Sequence, residues 1–447
     1  MSVKITIPEY ARIAMKELNR NGFESFVVGG CVRDSIMGKI ANDWDMTTSA
    51  KPEETLEVFK AFRTIPTGIK HGTITVLIDK QPLEITTFRI DGEYTDNRRP
   101  DSVKFTRDIE NDLSRRDFTV NAMAYNDTDG IVDLFGGISD IENKIIRCVG
   151  DPDKRFNEDA LRIMRAIRFS ATLGFEIEEK TADSIRRNKH LLKNIAPERI
   201  RVELEKLLIG DDAQRILLQF SDVVFEIIPE LKNTLGIEQN CPYHIYNVWE
   251  HIVKSVAVSE KNKYIRLAML LHDVAKPDMK TTDEKGQDHF KGHASVSADM
   301  AFEILKRLRY DNKTISTVTK LIFHHDDRLY NSPQNVKKHA SKYGFEFLYL
   351  LDKVSRADIL AQNPEMADRL SVCDNYLSEL RNLEKEKPCL KISDLSVDGN
   401  DLISLGYKGK EIGSILEKIL EKVLKNELTN SKEDIKRFLE KENKNEV

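Results

Sequence analysis

Residues 26–45 read FVVGGCVRDSIMGKIANDWD, and this stretch decides the fold of the first part of the chain. Phe23 to Val28 has the composition of a strand and ends at two glycines, after which a helix is predicted. Glycines let a backbone approach a ligand closely, a helix N-terminus favours an anion, and Arg33 adds a positive charge. Gly29, Gly30 and Arg33 therefore predict a phosphate-binding loop, although a plain chain reversal is the alternative for this loop alone.

Two carboxylates separated by one residue follow the loop. Alternate residues of a strand face the same way, so Asp43 and Asp45 are expected to converge. Like charges this close repel each other unless a cation is bound, and carboxylate oxygens suit Mg²⁺. Glu84, at the start of the predicted strand from Leu83 to Arg89, is a candidate for a third carboxylate. An exposed acidic turn is the alternative, and the nearby phosphate loop makes the metal site the better interpretation.

The rest of the chain and its composition set broad limits. From about Lys154 onward apolar residues recur at helical spacing, and a helix is expected between Glu53 and Phe62. No apolar run approaches 18 residues and the N-terminus lacks a signal-peptide pattern, so no membrane partner is expected. The five cysteines have no C-x-x-C spacing, which fits a reducing cytosol and predicts a cytoplasmic location. With a net charge of -5, any nucleic acid must be held by a local basic surface.

Three further blocks follow in order: SRRDFTVNA at 114–122, DLFGG at 133–137 and EDALR at 158–162. Together with the loop and the paired carboxylates, they resemble the bacterial tRNA nucleotidyltransferases and their poly(A) polymerase relatives, over roughly residues 20 to 240. That family has a nucleotidyltransferase head of the polymerase-β type. The resemblance implies that Asp43, Asp45 and Glu84 are catalytic and that Asp43 and Asp45 hold Mg²⁺.

The resemblance also implies a nucleotide site in which protein side chains choose the base. Asp159 and Arg162, expected on one helical face, offer acceptors and donors that match the Watson–Crick edge of cytosine or adenine. The implied nucleotide-binding residues are Gly29, Gly30, Arg33, Arg116, Asp117, Asn121, Asp159, Arg162, Arg165 and Arg168. Without the resemblance, Glu158 and Arg162 form an ordinary ion pair, the arginines form a solvated face, and Ser114 is the N-cap of a helix that begins there.

Residues 89–100, RIDGEYTDNRRP, are rich in turn formers and charge, so this segment is expected to be mobile. It resembles the flexible loop of family members that add the terminal A. Its presence argues against an enzyme that adds only CC.

Seven of the ten histidines lie between His244 and His325. Their pattern resembles the HD phosphohydrolase superfamily, in which His251, His272, Asp273 and Asp358 would bind one metal. His293, His324 and His325 match positions that bind a second metal in some members. Imidazole and carboxylate ligands without a thiolate favour Mn²⁺, Fe²⁺, Co²⁺ or Ni²⁺ over a closed zinc site. Phosphoesters at RNA ends, such as 2′,3′-cyclic phosphates, are the expected substrates, and a purely structural role is the alternative.

These observations predict an α+β chain: a polymerase-β-like nucleotidyltransferase head, an elongated all-α neck and body, and an α-helical HD domain. The expected boundaries are 1–147 for the head, 148–240 for the neck and body that select nucleotides and bind RNA, 241–370 for the HD domain, and 371–447 for a C-terminal tRNA-binding region.

The predicted activity is template-independent addition of CCA to tRNA 3′ ends from CTP and ATP, with no DNA partner. An A-adding enzyme or a poly(A) polymerase shares nearly every motif. An HD phosphohydrolase with a nucleotide-sensing, non-catalytic head and a structural RNA-binding protein are less favoured. The sequence leaves the oligomeric state open.

Overall fold

The structure is a computed structural model that describes residues 4–41, 43–92, 102–327 and 333–445. The chain divides into two compact units, which are described separately. The first comprises Met1–Lys232 with Arg307–Tyr310, and the second comprises Asn233–Lys306 with Asp311–Val447.

The first unit combines strands with helices. Its strands are β1 (Ser25–Val28), β2 (Asp45–Thr48), β3 (Arg63–Gly68), β4 (Thr73–Ile78), β5 (Gln81–Thr87), β6 (Arg89–Asp91), β7 (Val103–Phe105), β8 (Met123–Asn126), β9 (Gly130–Asp133), β10 (Ile145–Ile146) and β11 (Glu176–Ile177). Its helices are α1 (Glu9–Arg20), α2 (Gly30–Ile36), α3 (Pro52–Val58), α4 (Ile109–Ser114), α5 (Gly137–Glu142), α6 (Pro152–Glu158), α7 (Leu161–Leu173), α8 (Glu179–Asn188), α9 (Pro197–Leu208), α10 (Ala213–Gln219) and α11 (Ser221–Ile227).

A mixed seven-stranded sheet forms the centre of the head. Its strand order is β3-β4-β5-β2-β1-β8-β9, and β2 and β5 are its parallel pair. All four residues of β1 are buried, and the last three are apolar, as expected for a strand inside a sheet. Phe26 and Val28 of this strand pack with Phe88 and Leu113. The turn that follows β1 therefore begins from a rigid, buried strand.

Several local predictions need correction. The predicted strand from Leu83 to Arg89 is two elements, because β5 ends at Thr87 and β6 pairs with β7 outside the main sheet. Helix α3 ends at Val58, before the predicted end at Phe62. The alternative in which Ser114 is a helix N-cap is wrong, since Ser114 ends α4. Asp108 is the N-cap of that helix and accepts a hydrogen bond from the Glu110 N–H.

The second unit is helical apart from one short hairpin among the described residues. Its helices are α12 (Val248–Val258), α13 (Lys263–Leu271), α14 (Lys276–Met279), α15 (His293–Arg307), α16 (Asn312–His324), α17 (Pro333–Tyr343), α18 (Phe345–Leu360), α19 (Leu370–Lys385), α20 (Gly399–Ser404), α21 (Glu411–Leu424) and α22 (Lys432–Asn445). The hairpin pairs β12 (Thr281–Thr282) with β13 (Asp288–His289).

Helix α13 is the centre of this unit. Seven of its nine residues, Ile265 to Leu271, are buried, and the helix packs against α12, α16 and α18. A helix surrounded by others has no polar face, which explains its apolar sequence. Helices α20 to α22 have a separate core around Ile419 and Ile435. Across the described part of the chain, none of the helices combines the length and apolar character that crossing a membrane requires.

Candidate functional site

The turn between β1 and α2 forms the predicted phosphate loop. Gly29 has φ +83°, a conformation that residues with a Cβ rarely adopt. A Cβ at Gly29 would lie 3.3 Å from Nη1 of Arg116, so this glycine also makes room for that guanidinium. Arg33 is buried and its Nη1 donates to Oδ1 of Asn121 at 2.6 Å. The loop thus brings two of the predicted arginines close to the Gly29–Gly30 turn.

The strand register brings the carboxylates together beside this loop. Asp45 on β2 is paired directly with Glu84 on the parallel strand β5. Burial by the surrounding protein raises the pKa of Asp45, the negative charges of Glu84 and Asp43 raise it further, and Arg116 opposes them. Asp43 lies just before β2 and not on the strand, which differs from the prediction. The three carboxylates nevertheless form one region of negative charge that favours a cation.

Arg116 is held by a carboxylate that the sequence did not single out. Asp112 is fully buried, and its side chain accepts from Arg115 at 2.6 Å and from Arg116 at 3.3 Å. Burial alone would raise the pKa of Asp112, but the two guanidinium groups outweigh burial and lower it. Asp112 therefore stays charged and orients Arg116.

Asp117 and Asn121 occupy a second polar cluster. Oδ2 of Asp117 accepts from Nε of Arg165 at 2.7 Å, and its Oδ1 accepts from the Phe118 N–H at 2.8 Å. Burial opposes ionisation here, but Arg165 and these hydrogen bonds lower the pKa of Asp117 to about 2. The guanidinium of Arg168 lies 3.4 Å from the ring centroid of Phe169, on the same helix α7. These arginines are held in place and do not form a solvated face.

Asp159 lies outside helix α7, so it and Arg162 are not on one helical face as predicted. Asp159 lies at the break between α6 and α7, where its Oδ1 accepts from the Leu161 N–H. Both terminal nitrogens of Arg199 also contact the Asp159 carboxylate, at 3.3 and 2.9 Å. Arg162 is buried and forms the expected ion pair with Glu158, at 2.7 Å. Each side chain is therefore fixed by its own partners.

The predicted HD residues converge in the second unit. Nε2 of His251 lies 3.1 Å from Nε2 of His272 and 3.0 Å from Oδ1 of Asp358. Oδ2 of Asp273 lies 3.1 Å from Nε2 of His272, and its Oδ1 lies 3.2 Å from Nε2 of His293. Ligand atoms of His251, His272 and Asp273 form one compact group, and those of Asp273, His293 and His325 form a second. Asp273 thus joins two potential metal positions.

The orientation of the four imidazoles points to a metal. In His251, His272, His293 and His325, Nδ1 faces a backbone carbonyl at 3.3, 2.8, 2.8 and 2.6 Å respectively. In a neutral imidazole whose Nδ1–H donates to a carbonyl, Nε2 carries a free lone pair. Each of these Nε2 atoms is then an acceptor, so the Nε2 atoms that face one another cannot all form hydrogen bonds with one another. Neither Asp273 oxygen accepts a hydrogen bond of normal geometry from the described residues, and both are buried.

The carboxylates of the HD cluster favour a positive charge at its centre, either a proton on His272 or a metal. Burial alone would lower the pKa of His272, but Asp273 and Asp358 outweigh burial and raise it to about 10. Lys276, which the sequence did not indicate, lies 2.7 Å from Oδ2 of Asp273. The cluster attracts positive charge, and its nitrogen and oxygen donors fit a transition metal.

His324 does not join the HD cluster. Its Nδ1 lies 2.5 Å from Oδ2 of Asp327, and its ring packs against Tyr343. Consecutive residues at the end of a helix point in different directions, so His324 and His325 cannot both face the cluster. Residues 93–100 of the predicted flexible loop lie outside the described residues.

Comparison with known proteins agrees with this arrangement. The model "Poly A polymerase head domain" matches residues 25–147, "Probable RNA and SrmB- binding site of polymerase A" matches 174–235, and "tRNA nucleotidyltransferase domain 2" matches 289–439. The CCA-adding enzyme of Lactobacillus helveticus is 36% identical over 428 residues, which span 95% of each chain. The chain belongs to the CCA-adding enzymes.

Other CCA-adding enzymes show the same full-length similarity. The enzyme of Bacillus cytotoxicus is 35% identical over 95% of this chain and 96% of its own length. The crystal structure of the Bacillus stearothermophilus CCA-adding enzyme in complex with CTP covers 99% of both chains, with a TM-score of 0.74 and 28% identity. The similarity therefore extends over both units of this member of the family.

Sequence reasoning missed the residues that hold the functional side chains. Asp112 orients Arg116, and Arg199 orients Asp159. Asp112 lies one helical turn before Arg116, Arg199 lies 40 residues after Asp159, and neither residue belongs to a motif. Lys276 follows His272 and Asp273 at helical spacing, so a closer reading of that segment offered a signal for it.

Proposed function

We propose that the chain adds C, C and A to the 3′ ends of tRNA from CTP and ATP, with its chemistry in the head. The observation that carries this proposal is the register of Asp45 beside Glu84, next to the Gly29 turn and Arg116. Carboxylates on one side and guanidinium groups on the other match the two needs of nucleotidyl transfer, a metal and a bound triphosphate. The full-length similarity to CCA-adding enzymes supports the same conclusion.

Nucleotidyltransferases of this class use a divalent metal, and the head residues fit one. Asp43 and Asp45 would hold Mg²⁺, since their hard oxygen atoms lie in a region whose charge raises the pKa of Asp45. When bound, the metal supplies charge neutralisation at the triphosphate and acidifies the 3′-hydroxyl of the RNA. Glu84 adds to the negative charge next to Asp45.

The other residues of the head position the nucleotide. Arg33 and Arg116 would bind triphosphate oxygens, because both guanidinium groups are fixed beside the Gly29–Gly30 turn. Asp159 and Arg162 would read the base edge from the start of α7. Asp117 would contact the sugar and hold Arg165 and the helix in place.

The experiment uses three tRNAs, one without its terminal CCA, one ending in C and one ending in CC, each with one labelled nucleotide at a time. We expect C addition to the first two and A addition to the third, which an A-adding enzyme cannot reproduce. Asp45→Asn should lower both additions by several orders of magnitude while tRNA binding changes little. Asp79→Asn is the control, because Asp79 is an exposed carboxylate on the turn after β4. If Asp45→Asn transfers nucleotides at the parent rate, the catalytic assignment is wrong.

A second activity is supported by the HD cluster. We propose a metal-dependent phosphohydrolase in which His251, His272, Asp273 and Asp358 hold Mn²⁺, Fe²⁺, Co²⁺ or Ni²⁺. A metal there acidifies bound water, and phosphoesters at RNA ends are the proposed substrates. Purified chain should bind one of these ions and hydrolyse phosphoesters in its presence. A chain that binds none of these ions and hydrolyses no phosphoester would make the HD residues structural.

The arrangement of these functions along the chain is also part of the proposal. We assign the head to 1–147, nucleotide selection and RNA binding to 148–240, the HD domain to 241–370 and further tRNA binding to 371–447. All five cysteines are free thiols, which supports the proposed cytoplasmic location.

A further inference from the structure

A cavity of about 500 Å³ opens beside the HD cluster. Its lining includes the cluster residues His325 and Asp358 at one end. Helices α18 and α19 supply half of the remaining lining residues. The phosphohydrolase proposal assigns the metal end of this cavity, but it leaves the larger part of the space without a role.

Three buried polar side chains in the lining have an atom without a partner. Oδ1 of Asp352, Oγ of Ser355 and Oη of Tyr376 make no hydrogen bond with any described residue. These side chains belong to residues that are only 3%, 9% and 1% exposed. Leaving buried polar atoms unsatisfied is costly, so such a group is a candidate for ligand recognition. The other oxygen of Asp352 is already used, because it accepts from Nε of Arg356 at 2.8 Å.

The polar atoms lie at a defined distance from the metal end. Asp352, Ser355 and Asp358 follow one another at three-residue intervals on α18 and therefore share one side of the helix. At 1.5 Å per residue, Asp352 is about 9 Å from Asp358 along the helix axis. A ligand with a phosphate at the metals would reach Asp352 with a group at its opposite end. That is the extent of a nucleotide between its phosphate and the far edge of its base.

The mouth of the cavity adds an aromatic surface and a positive charge. Tyr243 is 46% exposed, and the guanidinium of Arg369 lies 5.5 Å from its ring centroid. Nη1 of Arg369 donates to Gln362 at 2.6 Å, and Gln362 donates to Oδ2 of Asp358 at 2.8 Å. Arg369 is thus tied to a metal ligand through one side chain. Aromatic rings and guanidinium planes are the surfaces on which proteins stack unpaired bases.

We propose that this cavity is a nucleoside pocket that selects terminal nucleotides whose base carries an amino group. The inference rests on the proposed phosphohydrolase for the phosphate end of the ligand. The three unpartnered atoms are covered in the structure, so Asp352 must turn toward the cavity before its Oδ1 can accept from the amino group of cytosine or adenine. Ser355 and Tyr376 then complete the hydrogen bonds at the base edge. Uracil presents a carbonyl oxygen where cytosine presents this amine, so the carboxylate repels it.

Cytidine and uridine 2′,3′-cyclic monophosphates test the proposal, since they differ mainly at this position of the base. With Mn²⁺-loaded full-length chain, kcat/KM for the cytidine compound should exceed that for the uridine compound about tenfold or more. Asp352→Asn should remove or invert this preference, and Tyr376→Phe should reduce it while preserving the shape of the side chain. The parent chain should also hydrolyse p-nitrophenyl phosphate, which has no base. Asp368→Asn, an exposed carboxylate outside the cavity lining, is the matched control.

Binding to chelator-treated chain separates this inference from the phosphohydrolase proposal. Titration calorimetry should show tighter binding of the cytidine compound even if no phosphoester is hydrolysed. Asp352→Asn should remove that difference in binding, and Tyr376→Phe should reduce it. If the parent chain hydrolyses p-nitrophenyl phosphate but treats the two nucleotides alike in both assays, the nucleoside pocket is wrong and the phosphohydrolase remains. If hydrolysis and the binding difference are both absent, both proposals are wrong.

Discussion

Asp117 and Arg165 illustrate how single side chains combine stability and function in the head. The carboxylate is almost completely buried, yet it is charged because Arg165 and a backbone N–H contact its two oxygens. Removing either partner would leave a buried charge unpaired, which is strongly destabilising. The same pair fixes one of the predicted nucleotide-binding arginines on α7. Unfolding experiments can measure the contribution of the Asp117–Arg165 pair to stability separately from its role in catalysis.

The pKa of Asp117 predicts an acid-sensitive contribution to the stability of the head. Its folded pKa of about 2 lies below the usual 3.8, so the stabilisation is present above about pH 4 and is lost as the pH falls toward 2. The shift corresponds to about 2 kcal/mol at neutral pH. Asp117→Asn should lower the free energy of unfolding by at least this amount at pH 7, and the difference should shrink as the pH falls below 4.

Urea unfolding followed by tryptophan fluorescence measures this effect. The chain has two tryptophans, and a Trp249→Phe background leaves Trp44 as the reporter of the head. Glu142→Gln is the control, because Glu142 is an exposed carboxylate of the same unit. If the free energies of unfolding of Asp117→Asn and the parent differ by a constant amount from pH 7 to pH 3, the lowered pKa of Asp117 is contradicted.

Base choice depends on Asp159 and Arg162 in our proposal, and the structure adds Arg199 as a positioning residue. Asp159→Ala or Arg162→Ala should reduce discrimination against UTP and GTP, since each good base contact is worth roughly 1–3 kcal/mol. Arg199→Ala should have a smaller effect in the same direction, because it releases the Asp159 carboxylate from its two guanidinium contacts. Misincorporation assays with all four nucleotides measure these changes.

Lys193→Ala is the matched control for Arg199, as an exposed cation on the segment before α9. Unchanged nucleotide preference in Asp159→Ala and in Arg162→Ala would remove both residues from base recognition.

At the scale of elements, the sequence predicted the strand, the turn and the helix around Gly29 correctly. Their signals are local: a buried apolar run, two glycines and helical spacing. The start of α4 and the break between α6 and α7 were missed. Asp108 and Asp159 are common surface residue types, and only the fold shows that Asp108 caps a helix and that Asp159 ends one. The sequence could suggest that Asp45 and Glu84 lie close together. Which residues of β2 and β5 are paired is known only from the sheet.

The turn after β1 gives a prediction for this element. Gly29→Ala should destabilise the head by about 1–3 kcal/mol, because the residue has a strained positive φ. It should also weaken nucleotide binding, since the new methyl group would press on Arg116. Gly22→Ala is the control: Gly22 also has a positive φ, of +81°, but nothing lies within 4 Å of its Cβ position.

Thermal unfolding and the KM for CTP separate the two effects of the substitution. Both variants should unfold at lower temperature, and Gly29→Ala alone should raise KM. Equal KM values in the two variants would show that the Gly29 turn does not support the triphosphate site through Arg116.

At the scale of the whole molecule, each candidate site is built within one of the two compact units. The carboxylates and arginines of the head come from the first unit, and every HD ligand comes from the second. The sequence indicated both sets because each resembles a known signature. It could not indicate that His324 points away from the cluster or that Asp352 and Tyr376 line a cavity, since those facts depend on how helices separated along the chain pack together.

This separation predicts that the two activities are independent. His272→Ala combined with Asp273→Ala should eliminate phosphoester hydrolysis and transition-metal binding, while CCA addition stays near the parent level. Asp43→Ala should do the reverse, because it removes a ligand of the proposed Mg²⁺ in the head and leaves every residue of the HD cluster in place. Chelation followed by added Mg²⁺ offers the same test without substitution: it should restore nucleotide addition but not hydrolysis. Loss of both activities in a folded HD variant, as judged by an unchanged melting transition of the head, would mean that the second unit is required for the chemistry of the first.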